Sequence, residues 1–376
     1  MNSILELLNE FRDIAQSPGK QLKKYLSRGK KIIGCFPYYV PEELVCAANM
    51  IPFGIWGATG AVKAAKEYFA TFYCTIAQMG LELSLRGQLK DLSGVIIPSL
   101  CDTLRPLSQN FRIANPDIPF MFLAHPQNRR LECGIEYTIS EYEGLKRKLE
   151  RIGQVKIEDG ELRNAIVLCN RSRKVRRRFV VNAGRYPDLI SAKDRAAVLK
   201  SSYFMDKAEY VTMLESLNEK IERQPQRKWE GIKVVVSGII NDNPGLLDIF
   251  DENRIVIAAD DVAHESRSFR VDVQETGDPV EALALQFAAQ DYDSLLYDPE
   301  INKRPGHVMN LVRESGAEGV VFVMMQFCDP EEMEYPFLKR SLDEEGIPSV
   351  VIGFDQQMED FGQAKTILQA FREQLS

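Results

Sequence analysis

The chain has 376 residues, 45% of them hydrophobic and 27% charged, with a formal net charge of −7. That length exceeds one ordinary domain and points to two, with enough apolar residues for large cores. The acidic balance speaks against a general nucleic-acid binder, which is usually basic. The opening stretch MNSILELLNEFRDIAQ carries charges every few positions and has no apolar h-region, so it does not read as a signal peptide. No apolar run approaches the roughly 18 residues of a membrane span, and a cytoplasmic protein is expected.

Residues 1–29 read as helical and amphipathic. KIIGCF (31–36) reads as a strand, PEELVCAANM (41–50) as a helix opened by proline, and IPFGIWG (51–57) as a second strand. TIAQMGLELSLRGQL (75–89) has helical spacing. GVIIPS (94–99) reads as a buried strand from its β-branched run, and after a helix IPFMFLA (118–124) is another strand. From 139 the pattern becomes almost wholly helical and rich in Arg, Lys and Glu. Alternation then returns with strands at 232–239, 254–260, 319–325 and 347–354. Alternating strands and helices predict parallel sheets covered on both faces. The expected organisation is α/β: a first lobe with N-terminal helices over 1–138, a helical segment over 139–230, and a second lobe over 231–376.

The lobes echo each other. In each, a Gly-Val-rich strand leads to Cys-Asp, then a helix, then Ile-Pro opening the next strand: Cys101 precedes Ile118-Pro119, and Cys328 precedes Ile347-Pro348. Ligands of such sheets sit at the carboxyl ends of the strands, where both cysteines fall. A third cysteine, Cys74, precedes TIAQ, which has the pattern of a capping box. Asp102 and Asp329 are likewise read as N-caps, with Pro330 at the first helical position. All three cysteines are therefore expected just before an N-cap. There the helix dipole and free N–H groups lower a thiol's pKa, as a metal ligand or nucleophile requires.

Seven cysteines, an odd number without close pairs, argue against a disulfide framework. Cys46 and Cys169 are read as helical core residues and Cys133 as part of a polar connection; Cys35, at a strand end, stands closer to the crevice. Structural zinc sites usually use C-x-x-C clips and four ligands, and the chain has neither such clips nor more than three histidines, His125, His264 and His307. A three-thiolate site suits a 4Fe-4S cluster with one iron lacking a protein ligand. Three unrelated cysteines at helix starts remain the alternative.

The stretches GCFPYYVPEELVCAANMIPFGIWG (34–57), YCTIAQ (73–78), PSLCDTLR (98–105) and MMQFCDPE (324–331) together resemble the β subunits of (R)-2-hydroxyacyl-CoA dehydratases, over most of the chain. The likeness is fullest to the 2-hydroxyisocaproyl-CoA enzymes, which would place the chain in leucine fermentation. The resemblance implies that Cys74, Cys101 and Cys328 ligate one 4Fe-4S cluster per chain, which serves as an electron relay. It also implies two partners: a homologous α subunit carrying a second cluster and the acyl-CoA site, and an ATP-hydrolysing iron–sulfur activator. In such enzymes one electron converts the thioester to a ketyl radical anion that expels the C2 hydroxyl, and the electron is then recycled. The protein supplies delivery, orientation and exclusion of water.

No acid–base residue is assigned. Tyr38 and Glu43 stand near the first strand end, either facing the crevice or serving as a packing tyrosine and a first-turn helix acid. The basic run RSRKVRRRF (171–179) reads as a solvated helix face or, if functional, as a contact with the activator or sister subunit. Neither G-x-x-x-x-G-K-[ST] nor G-x-G-x-x-G occurs, so ATP binding is expected on another chain. A different class of reading is a stand-alone iron–sulfur electron-transfer or ATP-dependent reductase component, which would need more cluster cysteines. A third is a bi-lobed binding protein with zinc or no metal, which would be colourless.

Overall fold

The computed structural model describes residues 3–36, 38–56, 58–296 and 303–376. Two helices open the chain, α1 (Ile4–Gln16) and α2 (Pro18–Ser27). Ser3 and Glu6 close a reciprocal capping box at the start of α1, which buries Leu7, Leu8, Phe11 and Ile14 on one face.

The first sheet is built from β1 (Ile32–Cys35), β2 (Ile51–Gly54), β3 (Gly94–Pro98) and β4 (Phe120–Leu123), all parallel and ordered β2-β1-β3-β4. Helices α3 (Glu42–Ala47), α4 (Thr75–Leu85) and α5 (Leu104–Ala114) cover it. The second predicted strand thus ends at Gly54; Gly57, which the sequence reading included, lies outside the described residues. Pro52 is tolerated because β2 is an edge strand.

Four long helices follow: α6 (Glu132–Gly153), α7 (Asp159–Arg185), α8 (Ala192–Ser201) and α9 (Lys207–Glu222). α7 is the spine. At Gly184 it lies so close to the next sheet that a Cβ there would come within 2.7 Å of the Ala258 carbonyl oxygen. The basic run lies on α7, and its charges are largely answered inside the chain. Arg171 pairs with Glu215, Arg173 with Glu43, Arg177 with Asp272 and Arg178 with Glu222, while Arg176 lies 4.7 Å over the Phe269 ring. The run thus braces α7 against its neighbours, while Arg171, Arg177 and Arg178 stay partly exposed on a solvated helix face.

The second sheet repeats the first. β5 (Ile232–Gly238), β6 (Ile255–Val262), β7 (Gly319–Met325) and β8 (Ser349–Phe354) are parallel and ordered β6-β5-β7-β8. Its helices are α10 (Pro244–Glu252), α11 (Pro279–Ala288), α12 (Arg304–Ser315), α13 (Asp329–Glu344) and α14 (Gly362–Leu375). In each lobe the second strand lies outside the first, and the third and fourth continue on the other side. Strand order therefore reverses between the first and third strands, β1/β3 and β5/β7, the switch point where α/β sheets bind ligands. β3 and β5 are buried almost throughout, as the unbroken apolar runs of doubly covered parallel strands require. One apolar cluster runs through Phe11, Phe179, Tyr210, Val236, Val323 and Met325, linking both lobes and the helices between them. Among the described residues no helix is long and apolar enough to cross a membrane.

Candidate metal centre

Cys101 follows β3 and Cys328 follows β7, the equivalent third strands of the two sheets. Cys74 comes to them on the start of α4. That start is stitched to the second lobe: the Thr75 hydroxyl contacts Met325 Sδ at 3.5 Å and accepts the Gln356 backbone N–H at 3.2 Å. Nearby, Gly60 N–H donates to the Gln356 carbonyl and Val62 N–H to the Gln357 side chain. The three thiols are electrostatic neighbours. A charge on Cys101 is felt at Cys74, and charges on both are felt at Cys328. Each sulfur also receives backbone N–H groups from the helix it precedes: Ile76 and Ala77 for Cys74, Thr103 and Leu104 for Cys101, Glu331 for Cys328.

Two expectations about these cysteines are corrected. Cys74 and Cys328 are themselves the N-caps of α4 and α13, and Cys101 lies two residues before the N-cap Thr103 of α5. The capping box at Thr75 does not form, because Thr75 is spent on the inter-lobe contacts and Gln78 donates to the Tyr73 carbonyl. The thiol pKa values also move up, not down. Burial pushes Cys74 up to about 12, raises Cys101, and raises Cys328 further, with repulsion among the prospective thiolates adding to it. The helix N–H groups pull downward, but in the metal-free chain they lose to desolvation.

The second lobe fixes Cys328 through a buried ion network at the first turn of α13. Arg267 donates to Glu331 at 2.8 Å and to Asp261, and Arg304 donates to Asp261 at 2.7 Å and to the other oxygen of Glu331 at 3.0 Å. Ser294 donates to Glu331 at 2.6 Å, and Arg304 also pairs with Glu334. Burial alone would raise the Glu331 carboxyl; the two arginines hold it down at about 2. The sequence reading gave Glu331 no role of its own. Its partners, remote in sequence, carried no local signal.

Tyr38 does reach this region: Cys328, Asp293 and Arg267 all act on its hydroxyl, which burial raises first. It sits at φ 23° and Tyr39 at φ 61°, left-handed values that are rare for aromatic residues, and Phe327, just before Cys328, has φ 61°. Tyr39 donates to Asp293 at 2.6 Å. Glu43 does not reach it: it is buried against Arg173. Cys35 ends β1 and donates to the Ile33 carbonyl, in surroundings set by Glu42 and Lys207 rather than by the other cysteines. Cys169, on α7, hydrogen-bonds with Cys46, on α3, a contact the sequence reading did not foresee. Cys133 is helical, in the first turn of α6, and not in a connection. The histidines are engaged in packing: His125 stacks on Phe287, His264 meets Trp56 and His307 stacks on Tyr292.

Among the described residues no group of three or more His, Cys, Asp or Glu side chains closes round a single metal ion. A polynuclear cluster asks for something different, since each thiolate takes its own iron and the sulfurs need not meet at one point. By that measure the donor set fits. Three cysteines are mutually coupled, and backbone N–H groups are already aimed at each sulfur. Gln356, fully buried beside Thr75, has both side-chain amide atoms without a partner in the protein.

A doubled parallel α/β fold with Cys101 and Cys328 after equivalent third strands defines the class as a two-lobed α/β protein. The chain matches the family described as 2-hydroxyglutaryl-CoA dehydratase, D-component, over residues 37–375. It is 53% identical to (R)-2-hydroxyglutaryl-CoA dehydratase, subunit beta, of Acidaminococcus fermentans, over 99% of this chain and 100% of that one. It is 42% identical to the (R)-phenyllactyl-CoA dehydratase beta subunit of Clostridium sporogenes, over the whole of both chains. It is 40% identical to lactoyl-CoA dehydratase subunit beta of Anaerotignum propionicum, over 100% of each chain. The chain belongs to the 2-hydroxyglutaryl-CoA dehydratase D-component family and is a 2-hydroxyacyl-CoA dehydratase β subunit. Membership in a component family implies a partner subunit.

Proposed function

We propose that this chain is the electron-relay subunit of a two-subunit (R)-2-hydroxyacyl-CoA dehydratase, with Cys74, Cys101 and Cys328 holding one 4Fe-4S cluster. The observation that carries the reading is the coupling of these three thiols across two lobes, each with helix N–H groups directed at it. When bound, such a cluster would supply a one-electron store for a dehydration that ordinary acid–base elimination does not achieve. The chain's own contribution is to bury the site, to aim the N–H groups of α4, α5 and α13 at the sulfurs, and to hold α13 in place through Arg267 and Arg304. Glu43 is committed to Arg173, and no side chain is assigned to proton transfer on the substrate.

The partner surface is read from an apolar rim. Phe72 precedes Cys74 by two residues, Phe327 directly precedes Cys328, and Met333 and Phe337 lie on the helix that Cys328 opens; these four are 65, 43, 73 and 52% exposed. Large apolar side chains left in water around one site mark a surface that another chain covers. We assign it to the α subunit, which would carry the acyl-CoA, and place ATP hydrolysis on a separate activator. The 2-hydroxyisocaproyl thioester is the first substrate to assay, with the 2-hydroxyglutaryl thioester beside it because of the similarity to the Acidaminococcus β subunit.

The test is anaerobic co-purification with the sister subunit, iron and sulfide analysis of the separated chains, and activity with activator, ATP and reductant. About four irons and four sulfides are expected on this chain, and dehydratase activity only when the sister is present. A colourless chain, or full activity from this chain alone, would overturn the reading.

A further inference from the structure

A second site lies away from the three cysteines. At the end of β1, enclosed by the loop after it, α3, α7 and the residues near Ser268, is a cavity of about 70 Å³. By the usual measure of 10–15 Å³ per water, it holds roughly five waters or a solute of similar size. Its wall carries the cations Arg173, Arg176 and Lys207 and the carboxylates of Glu42 and Glu43. The other titratable groups facing it are thiols and phenols raised above their ordinary values, Cys169 first by Cys46 and the rest first by burial, so they are neutral.

The charges do not balance. Glu43 is spent on Arg173, and Glu42 lies 2.6 Å from Lys207. Among the described residues Arg176 has only neutral partners: the Ser172 carbonyl at 3.3 Å, Ser268 Oγ at 3.4 Å and the Phe269 ring. Asp272, which also acts on Arg173, is taken by Arg177 at 2.7 Å. One positive charge is left over among side chains that are themselves buried. Two polar atoms of the wall, Ser172 Oγ and Arg173 Nε, are buried with no hydrogen-bond partner among the described residues, and their residues are 1 and 8% exposed. A guanidinium Nε–H can only donate, and a hydroxyl can donate, so both call for an acceptor. Unpartnered buried donors are costly, and natural proteins rarely keep them.

We propose that this cavity is a binding site for one small monovalent carboxylate, of formate or acetate size, held by Ser172 Oγ–H and Arg173 Nε–H and neutralised by Arg176. The anion supplies the missing negative charge and the missing acceptors together. A space of about 70 Å³ is too small for an acyl-CoA, so this site is distinct from a substrate site; Tyr38 belongs both to its wall and to the surroundings of Cys328.

The experiment is calorimetric titration of the purified αβ complex with sodium formate, sodium acetate and sodium phosphate. It is paired with a crystal of the same complex soaked in sodium bromide and measured for anomalous scattering. Saturable binding of formate or acetate at one site per chain is expected, with an anomalous peak beside Ser172 and Arg173. Ser172→Val removes the donor and fills part of the space, and should weaken formate at least tenfold, since a hydrogen bond to a charged group is involved. Ser172→Ala, with an unchanged melting temperature in formate-free buffer, separates loss of the site from misfolding and should weaken it in the same direction. Ordered water alone in the cavity, bromide bound only elsewhere, or equal formate affinity in wild type and a folded Ser172→Ala would overturn the proposal. A preference for phosphate would overturn it too, because a dianion exceeds the single charge available.

Discussion

Replacing Arg267 with methionine removes the cation that ties the first turn of α13 to the second sheet, while keeping most of the side-chain volume. The guanidinium is 1% exposed and makes ion pairs with Asp261, Glu331 and Asp293. Without it, Asp261 keeps Arg304 and Arg270, Glu331 keeps Arg304, and among the described residues Asp293 keeps the Tyr39 hydroxyl and the Leu295 backbone N–H. Removing one member of a buried ion pair costs about 3–5 kcal/mol, because the remaining charge stays desolvated. The lower end applies here, since Arg304 still serves two of the carboxylates. Anaerobic urea unfolding of the metal-free chain should therefore show about 3 kcal/mol of destabilisation. The double variant Arg267→Met, Glu331→Met should recover part of that loss, because it removes a charge along with its partner. The iron content of the loaded Arg267→Met chain should also fall, because Glu331 N–H donates to Cys328 from the turn this network holds. A loss below about 1 kcal/mol, the range of an exposed pair, would refute the claim that this network positions α13.

Cys74→Ser, Cys101→Ser and Cys328→Ser should each lower iron and sulfide sharply on anaerobic analysis, while Cys46→Ala, Cys133→Ala and Cys169→Ala leave them unchanged; full iron in Cys328→Ser would exclude it as an essential ligand. Glu265 is fully buried beside Arg195 and Asp260, and burial, against the pull of Arg195, pushes its carboxyl from its ordinary 4.5 up to about 7. The folded chain then holds a proton that the unfolded chain releases above 4.5, so stability falls as pH rises from about 4.5 to about 7, by on the order of 3 kcal/mol from this group. Glu265→Gln should flatten that slope in urea titrations at a series of pH values, and an unchanged slope would remove Glu265 as its source. Phe337→Asp should weaken association with the sister subunit, read by analytical ultracentrifugation, with the fold of the isolated chain intact by circular dichroism. Equal association would move the interface off α13.

The strands were legible because a parallel sheet covered on both faces demands unbroken runs such as GVIIP and GVVFVMM, and little else in a sequence looks like them. The doubling was legible because Cys-Asp recurs at the same point after the third strand of each lobe. What local pattern could not supply was the outcome of competition between local and tertiary partners. Thr75 followed by Gln78 satisfies the pattern of a capping box, yet the Thr75 hydroxyl is drawn to Met325 and Gln356, some 250 and 281 residues away. The arginines of 171–178 look like a solvated patch in one dimension, but the acids that answer four of them come from α3, α9 and the segment after β6. The thiol pKa values followed the same course. A helix start predicts a downward shift, and only the three-dimensional arrangement reveals that burial and the neighbouring thiols overrule it.

The two lobes are alike in strand order but contribute unequally to the proposed centre, two cysteines from the first and one from the second. The second lobe gives its single cysteine the stiffest support, a helix start clamped by Arg267, Arg304, Glu331 and Ser294. The first lobe gives two half-buried cysteines on loops, one of them fastened to the other lobe through Thr75. A centre gripped by both lobes cannot be complete unless the lobes are packed together, so its integrity reports on the inter-lobe contacts as well as on the sulfurs. The apolar rim at Phe72, Phe327, Met333 and Phe337 extends that dependence outward. Residues from both lobes border the site, so a partner covering the rim would bridge them. The proposed relay role is served by this arrangement: a rigid clamp beneath, a stitched seam between the lobes, and exposed apolar side chains that the proposal assigns to the partner.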